Sequence, residues 1–407
     1  MKLKILKCLD IAIEYSLYGL IFFIPISIAL ISTFAAIAIF LFLIKQIFSA
    51  DFSSLKANKV FFLLLLIFFI CMALSLINSG SLMHISLKAL FLKWGRFPLI
   101  LWVVLDTFKD PKRIVNAVCV FLFSSILVGL SIVSQKYFGL EFLRHRALLG
   151  NMITGPFENE NDLAAYLTCL IPVAISFFLW KWKNFFIKTG FVLIVFLLIV
   201  CSIWTLCRGG WLGLAAGLIS MPLLVNYKRL SKKIFWSLCC FGYFVCLPLI
   251  TLALFHFQNR LDSARFILYH GAWHMIKEHP FLGKGLGTFM SYCAQYTNNF
   301  GVYYTHNDYL QMWAESGMFS LLSFLLLVVY VLHKSIKTIF KASASLEFFL
   351  LIGLTAGLIG ALVHSAVEIH LYSFQLSFLF WVILGLTVAL SSKLNINDIH
   401  KSPYKYL

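Results

Sequence analysis

Residues 59–77 read KVFFLLLLIFFICMALSLI and decide the fold class, because the only charge in this stretch is at its first position. An α-helix rises about 1.5 Å per residue, so a helix of this length reaches across the roughly 30 Å hydrocarbon core of a bilayer. The stretch therefore predicts a membrane-spanning helix.

The rest of the chain repeats this pattern. Of its 407 residues, 61% are hydrophobic and 12% are charged, and the mean hydropathy is +0.92. A soluble domain carries about 25% charged residues, so that class is excluded. We expect an all-α polytopic integral membrane protein of about 12 transmembrane helices, forming one membrane domain over residues 1–407. The predicted spans are 11–25, 27–46, 59–77, 97–108, 113–135, 162–180, 186–206, 210–226, 233–255, 317–333, 347–369 and 374–391.

The fourth span is the least regular of these. It is short, and the stretch from Leu82 to Arg96 could form an interfacial amphipathic helix that joins or precedes it.

The net charge of +17 follows from membrane topology rather than from a nucleic-acid partner. Loops on the side of the two termini hold about twice as many Lys and Arg as the opposite side, which predicts cytoplasmic termini in a bacterial inner membrane. The opposite, external side, which is the periplasm if the cell is Gram-negative, then holds the 136–161 loop and the large 256–316 loop, which we expect to contain short helices. It keeps few cations, among them three between Lys88 and Arg96.

Arg208 is the clearest of the cations on the periplasmic side. It lies in the motif CRGGW, residues 207–211, where two glycines allow a sharp turn and close approach to a ligand. A guanidinium here could hold a phosphate through two parallel hydrogen bonds. Alternatively, it anchors a helix end to lipid headgroups.

Within the 256–316 loop, apolar spacing over residues 262–276 predicts a helix against the membrane face, with Arg265 in its first turn. His270 and His274 have the spacing of a zinc-binding helix, but no Glu lies between them, so we expect no metal site. Residues 283–288, GKGLGT, contain Lys284 and lack the spacing of a nucleotide-binding loop, so they predict a tight turn.

The motif THNDYLQMWAESG, residues 305–317, contains His306. Thr305 with Asp308 resembles a capping box and predicts a helix that begins at His306. A neutral imidazole in the first turn could accept a proton from a substrate. Alternatively, it hydrogen-bonds a loop carbonyl.

His364 and Glu368 are four residues apart in the eleventh predicted span, with His370 at its external end. Ionisable residues inside a membrane suggest a functional pair, such as a proton path. The alternative is a pair that fastens two helices to each other.

Four segments together resemble the O-antigen ligase and polymerase family of polytopic glycosyltransferases. The resemblance departs from the family pattern at Cys207, where Ser is usual, and at Glu160, where Pro is common. The four segments are Arg146–Gly150 with Gly155–Leu167, Arg208–Trp211, Arg265 with Lys277–Gly287, and His306–Leu310 with Glu315–Gly317.

The resemblance implies a glycan carried on undecaprenyl pyrophosphate, which is transferred at the periplasmic face to lipid A–core oligosaccharide without a metal or cofactor. Direct displacement by the acceptor hydroxyl would invert the anomeric centre. Membrane lipid is the other implied partner. By position, Arg208 and Arg265 would hold the pyrophosphate, and His306 would act on the acceptor hydroxyl. The candidate supporting residues are Arg146, Asn161, Lys284 and Asn307.

Other functions stay open. A polymerase of the same family would use the same donor and extend a second lipid-linked glycan, and a protein-glycosylating ligase is a third member of the class. A lipid-linked glycan transporter or flippase of about twelve spans is a different class, and the pair of His364 and Glu368 is the feature that favours it.

Overall fold

All regular secondary structure in the described part of the chain is helical. The structure is a computed structural model that describes residues 2–148, 150, 152–226, 263–297 and 304–394. Over these ranges the all-α prediction is confirmed. The α-helices are α1 (Lys2–Phe23), α2 (Ile28–Ser49), α3 (Ser53–Ala57), α4 (Lys59–Leu74), α5 (Met83–Lys88), α6 (Arg96–Thr107), α7 (Pro111–Phe138), α8 (Glu160–Leu179), α9 (Phe185–Trp204), α10 (Arg208–Val225), α11 (Ser263–Glu278), α12 (Phe289–Thr297), α13 (Asp308–Lys341), α14 (Leu346–His364) and α15 (Phe374–Lys393).

Within those ranges, nine stretches are long and apolar enough to cross a membrane, which makes this a multi-pass membrane protein. They are α2, residues Lys59–Asn78, and helices α7, α8, α9, α10, α13, α14 and α15. The predicted span 233–255 lies outside the described residues, as do parts of the predicted 256–316 loop.

The fourth predicted span is only part of a longer helical stretch. Helix α6 has 12 residues and is about 18 Å long, too short to cross a bilayer alone. It is preceded by residues 75–94, called here the broken segment, which contain 3₁₀ turns, α5 and a π-helical turn over Ala89–Trp94. Gly95 between them has helical dihedrals, so the stretch from Leu82 to Arg96 joins α6.

The core is built around α14 and α15. Every residue of α15 from Gln375 to Ser391 is buried. Glycines bring α14 close to its neighbours: a Cβ on Gly213 of α10 would lie 2.6 Å from the carbonyl oxygen of Gly360, and one on Gly357 would lie 2.5 Å from that of Cys169 in α8. Small residues at such crossings allow helix backbones to pack tightly in a membrane.

Helix α13 begins before its predicted span and bends at Gly317, whose φ is +81°. The glycine-rich turn 283–287 docks on this bend, where the amide of Gly285 donates to the carbonyl of Glu315 at 2.9 Å. The Glu315 carboxylate in turn accepts from the amides of Gly287 and Phe289, at 2.9 and 3.1 Å. The sequence prediction of a tight turn is thus confirmed.

The helix ends form two separate polar regions. At one end, Lys45 is 2.7 Å from Asp10 and 2.6 Å from Asp106. At the opposite end, the broken segment, the 139–159 loop, the start of α10, residues 263–307 and the 365–373 turn meet. The candidate residues from the sequence all lie in this second region, called here the site end.

Candidate functional site

Glu368 joins two of the predicted site residues. Its Oε2 lies 2.8 Å from Nδ1 of His306, and its Oε1 accepts a hydrogen bond from Nη2 of Arg265 at 2.5 Å. Nη1 of Arg265 also donates to the carbonyl of Val367 at 3.2 Å. Arg265 and His306 therefore contact the two oxygens of one carboxylate that is 5% exposed.

Asp308 fixes the turn that carries Glu368. Its buried carboxylate accepts from the amides of His370 at 2.8 Å and Leu371 at 3.1 Å, and its own amide donates to Ser365 at 2.9 Å. These bonds tie the start of α13 to the loop after α14. As a result, His306 and Glu368 are held next to each other from two different helix ends.

The prediction that His364 and Glu368 lie together inside one span is wrong, because α14 ends at His364 and Glu368 lies in the turn beyond it. The ring of His364 contacts other groups: its Nδ1 is 3.0 Å from Nε2 of His370, and its Nε2 is 3.7 Å from Sγ of Cys207. Burial lowers the pKa of His370 to about 3, so its ring stays neutral.

His306 precedes its helix instead of starting it. Helix α13 begins at Asp308, and the Oδ1 of Asn307 caps it by accepting from the amides of Tyr309 and Leu310, so the predicted start was two residues too early. The backbone of His306 is left-handed, with φ +53°, which is uncommon for a residue with a side chain and is often found at functional sites. The His306 side chain is 40% exposed.

Arg208 is the first residue of α10 and is exposed. No described residue forms an ion pair or hydrogen bond with its side chain. A Cβ on the neighbouring Gly209 would lie 2.8 Å from Cγ2 of Val367, so the backbone here touches the turn that carries Glu368. Cys207 caps the helix by accepting from the amide of Gly210, and burial raises the pKa of its thiol to about 11, which keeps it protonated.

A cavity of about 1160 Å³ opens beside His306 and Glu368. Neither Arg208 nor Arg265 lines it, although Arg265 reaches its wall through Glu368. Its wall includes Asn161 and three cations of the broken segment and the start of α6, which the sequence interpretation had only counted as basic residues of the periplasmic side. These are Lys88, Lys93 and Arg96.

The supporting candidates occupy different environments. Asn161 lines the cavity. Arg146 lies 3.9 Å from Glu158, another residue of the cavity wall. Lys284 is 2.9 Å from Glu278, and the side-chain oxygen of Asn307 is used in capping α13, so both of these side chains have local structural partners.

Sequence reasoning missed that Glu368 contacts His306 and that Asp308 binds the turn after α14. Sequence spacing contained no signal for the contact, because each carboxylate acts on residues about sixty positions away. Over the part of the chain that the structure describes, no group of three or more His, Cys, Asp or Glu side chains is arranged to hold a metal ion.

Comparison with known proteins agrees with the resemblance seen in the sequence. Residues 193–325 match a family model described as O-antigen ligase. The teichuronic acid biosynthesis protein TuaE of Bacillus subtilis is 27% identical over an alignment of 284 residues that covers 63% of this chain and 54% of that protein. An uncharacterized protein of Haemophilus influenzae is 26% identical over an alignment of 208 residues that covers 44% of this chain and 51% of that protein. The chain spans about half the length of these curated relatives.

Proposed function

We propose that this protein is a glycosyltransferase of polysaccharide assembly, which moves a glycan from undecaprenyl pyrophosphate to a hydroxyl group of an acceptor at the periplasmic face of the inner membrane. The observation that carries the proposal is the contact of His306 with Glu368, at 2.8 Å, beside Arg265 and a large cavity. The match to the O-antigen ligase model supports the same class.

The histidine serves as the general base. Glu368 accepts the Nδ1–H of His306, which selects the tautomer whose Nε2 has a free lone pair. This nitrogen removes the proton as the acceptor oxygen bonds to the anomeric carbon, and the bond from that carbon to the diphosphate oxygen breaks. The electron pair leaves with the diphosphate. A single displacement of this kind inverts the anomeric configuration.

The two arginines act on the leaving group. Negative charge collects on the diphosphate as its bond to the sugar breaks, and fixed guanidinium groups stabilise that charge. Arg208 is exposed and has no ion-pair partner among the described residues, so its planar fork is available for a phosphate. Arg265 forms an ion pair with Glu368 through Nη2, and it thereby connects the bound diphosphate to the carboxylate that positions the base.

Orientation follows from the basic loops. Both termini are placed in the cytoplasm, because Lys and Arg concentrate on the side of the termini. This puts the site end, with His306, Arg208 and the cavity, at the periplasmic surface. The donor lipid would reach it from the outer leaflet of the inner membrane.

The preferred acceptor is lipid A–core oligosaccharide, which makes the protein a ligase. A polymerase that joins two lipid-linked glycans is the second candidate, because it would use the same donor and differ only in its acceptor. Transport of a lipid-linked glycan has less support, because Glu368 lies beyond the end of α14 and the cavity is at one end of the bundle, whereas transporter sites lie near the bilayer midplane.

The test is reconstitution of the purified protein with a lipid-linked glycan and, in separate reactions, lipid A–core or a second lipid-linked glycan. Glycan joined to lipid A–core identifies a ligase, and elongated lipid-linked glycan identifies a polymerase. If the donor is consumed in neither reaction, both the ligase and the polymerase assignments are wrong. A product that retains the anomeric configuration of the donor would contradict the single displacement.

A further inference from the structure

Three cations in the cavity have no role in the reaction proposed above. Lys88, Lys93 and Arg96 line the same cavity as His306 and Glu368. They come from the broken segment and the first residue of α6, whereas Arg208 and Arg265 come from α10 and α11 and lie outside the cavity wall. The site end thus has two separate groups of cations.

Aromatic rings, not carboxylates, hold two of these cations in place. The Nζ of Lys93 lies 4.9 Å from the ring centre of Tyr372 and 5.6 Å from that of Tyr304. The guanidinium of Arg96 lies 4.8 Å from the ring centre of Phe374. Rings attract a cation through their negative faces but leave its charge unneutralised.

The acids of the cavity wall are occupied by other partners. Glu368 contacts Arg265 and His306, while Glu158 is 3.9 Å from Arg146. Asp162 accepts a hydrogen bond from Ser373 at 3.4 Å. Consequently, no described carboxylate forms an ion pair with any of the three cations.

The pKa of Lys93 reflects its burial without an ion-pair partner among the described residues. Burial lowers the pKa of its ammonium group to about 8, against the opposing attraction of Glu315 and Asp308. Those two carboxylates already accept hydrogen bonds from backbone amides. An anion that enters the cavity would stabilise the charged form of Lys93, because it replaces the solvation that burial removed.

The cavity wall beside these cations is apolar. Ile28, Ile85 and Leu92 line it, and Phe91, the neighbour of Leu92, is 66% exposed on the broken segment. The combination of cations and adjoining apolar surface fits an amphiphile with an anionic headgroup.

We infer that Lys88, Lys93 and Arg96 form a second phosphate subsite, which binds the phosphate-bearing headgroup of a lipid acceptor while Arg208 and Arg265 hold the diphosphate of the donor. The assignment to the acceptor rests on the proposed transferase function. In this arrangement the two lipid headgroups bind to separate groups of cations, and His306 lies on the wall of the acceptor cavity. The subsite selects acceptors that carry phosphate on a lipid.

Binding tests the subsite without relying on activity. The probe is farnesyl diphosphate, titrated calorimetrically into the full-length protein in nanodiscs of neutral phospholipid. The unchanged protein should bind two equivalents. Lys93→Gln with Arg96→Gln should remove one of them, and Arg208→Gln should remove the other. Lys181→Gln with Lys183→Gln, which removes two exposed cations beyond the far end of α8, should leave both.

Further variants separate charge from folding and lipid from free anion. Lys93→Arg with Arg96→Lys keeps both charges and should retain two equivalents, and each variant must elute as a single species with unchanged helical circular dichroism. Inorganic diphosphate should bind the subsite at least about 10-fold more weakly than the farnesyl compound, since apolar burial adds to the charge-assisted contacts. Equal affinity would identify a site for a free anion and overturn the lipid assignment.

Two binding outcomes overturn the assignment of two separate phosphate sites. In the first, the protein binds a single equivalent that the Lys93 and Arg96 substitutions leave unchanged. In the second, it binds a single equivalent that these substitutions abolish and Arg208→Gln does not, which would mean one diphosphate site in the cavity and a different role for Arg208.

Steady-state kinetics then separates acceptor from donor. The Lys93 and Arg96 substitutions should raise KM for the acceptor at least about 10-fold and leave KM for the donor unchanged, because a binding contact made equally in the ground and transition states affects KM. A rise confined to the donor KM contradicts the acceptor role. Two equivalents bound with no transfer activity would leave the phosphate subsite in place and refute the proposed function instead.

Discussion

His306 and Glu368 are 62 positions apart in the chain, and their side chains meet at 2.8 Å between Nδ1 and Oε2. His306 stands just before α13 and Glu368 just after α14. The contact couples a half-exposed imidazole to a buried carboxylate that also holds Arg265.

Replacing His306 with Ala should lower the rate of glycan transfer by about 10²- to 10⁴-fold, the usual contribution of a general base. Expression and membrane insertion should be unchanged, since the side chain is 40% exposed. The measurement is transfer from purified lipid-linked donor. His270→Ala is the matched control, because His270 is an exposed histidine of the same loop. Wild-type transfer by the His306 variant would remove the base from the mechanism.

Glu368→Gln should lower kcat by about 10²-fold with little change in either KM, because Glu368 positions the base and does not itself bind substrate in this mechanism. The amide keeps the size of the side chain but loses the charge that stabilises the imidazolium formed in the reaction. Kinetics of Glu368→Gln combined with His306→Ala provides the check. If the two losses multiply instead of overlapping, the residues do not act as a unit.

Arg208→Lys should reduce transfer by about 10-fold or more, because the ammonium keeps the charge but loses the planar fork that binds two phosphate oxygens. The initial rate at saturating acceptor, measured across donor concentrations, reports the effect. Arg113→Lys, at the opposite end of the bundle, should have little effect, since Arg113 pairs with Glu14 there. Equal activity of Arg208→Lys and wild type would favour simple anchoring to lipid headgroups.

Asp308→Ala should destabilise the protein by about 2–6 kcal/mol, because two buried backbone amides would lose their acceptor at about 1–3 kcal/mol each. Thermal unfolding in detergent measures the change. Asp110→Ala removes an exposed helix cap at α7 and should cost about 1 kcal/mol. A loss for Asp308→Ala no larger than that of the cap would show that the amides find another acceptor.

Gly283→Ala should destabilise the protein more than Gly139→Ala. Both glycines have similar left-handed backbones, with φ +73° and +77°, so both pay the strain of about 1–2 kcal/mol. A Cβ on Gly283 would also clash with the backbone of Glu315, while one on Gly139 meets nothing within 4 Å. The difference in unfolding temperature between the two variants measures how much the docking of the glycine-rich turn on α13 contributes to stability. Equal shifts would mean that the turn can move away without loss.

The sequence by itself determined the membrane class and most of the spans. Long apolar runs such as residues 59–77 form helices wherever they lie in a bilayer, and this depends only on local hydropathy and length. The motif residues Arg265 and His306 could be selected on the same local basis, because their loops are polar segments between apolar runs. Predicted helix ends were less accurate, as at His306 and Glu368, because an end depends on a capping group or a turn contact.

Only the tertiary structure decided which side chains meet. The sequence placed Glu368 in one span with His364, yet α14 ends at His364, four residues earlier. The turn that follows is held against α13, because Asp308 accepts hydrogen bonds from its backbone amides. Likewise, Lys93 and Arg96 counted only as basic residues until the broken segment placed them in one cavity with His306. Such contacts depend on how helix ends distant in the chain pack against each other, and hydropathy and residue spacing contain no information about that packing.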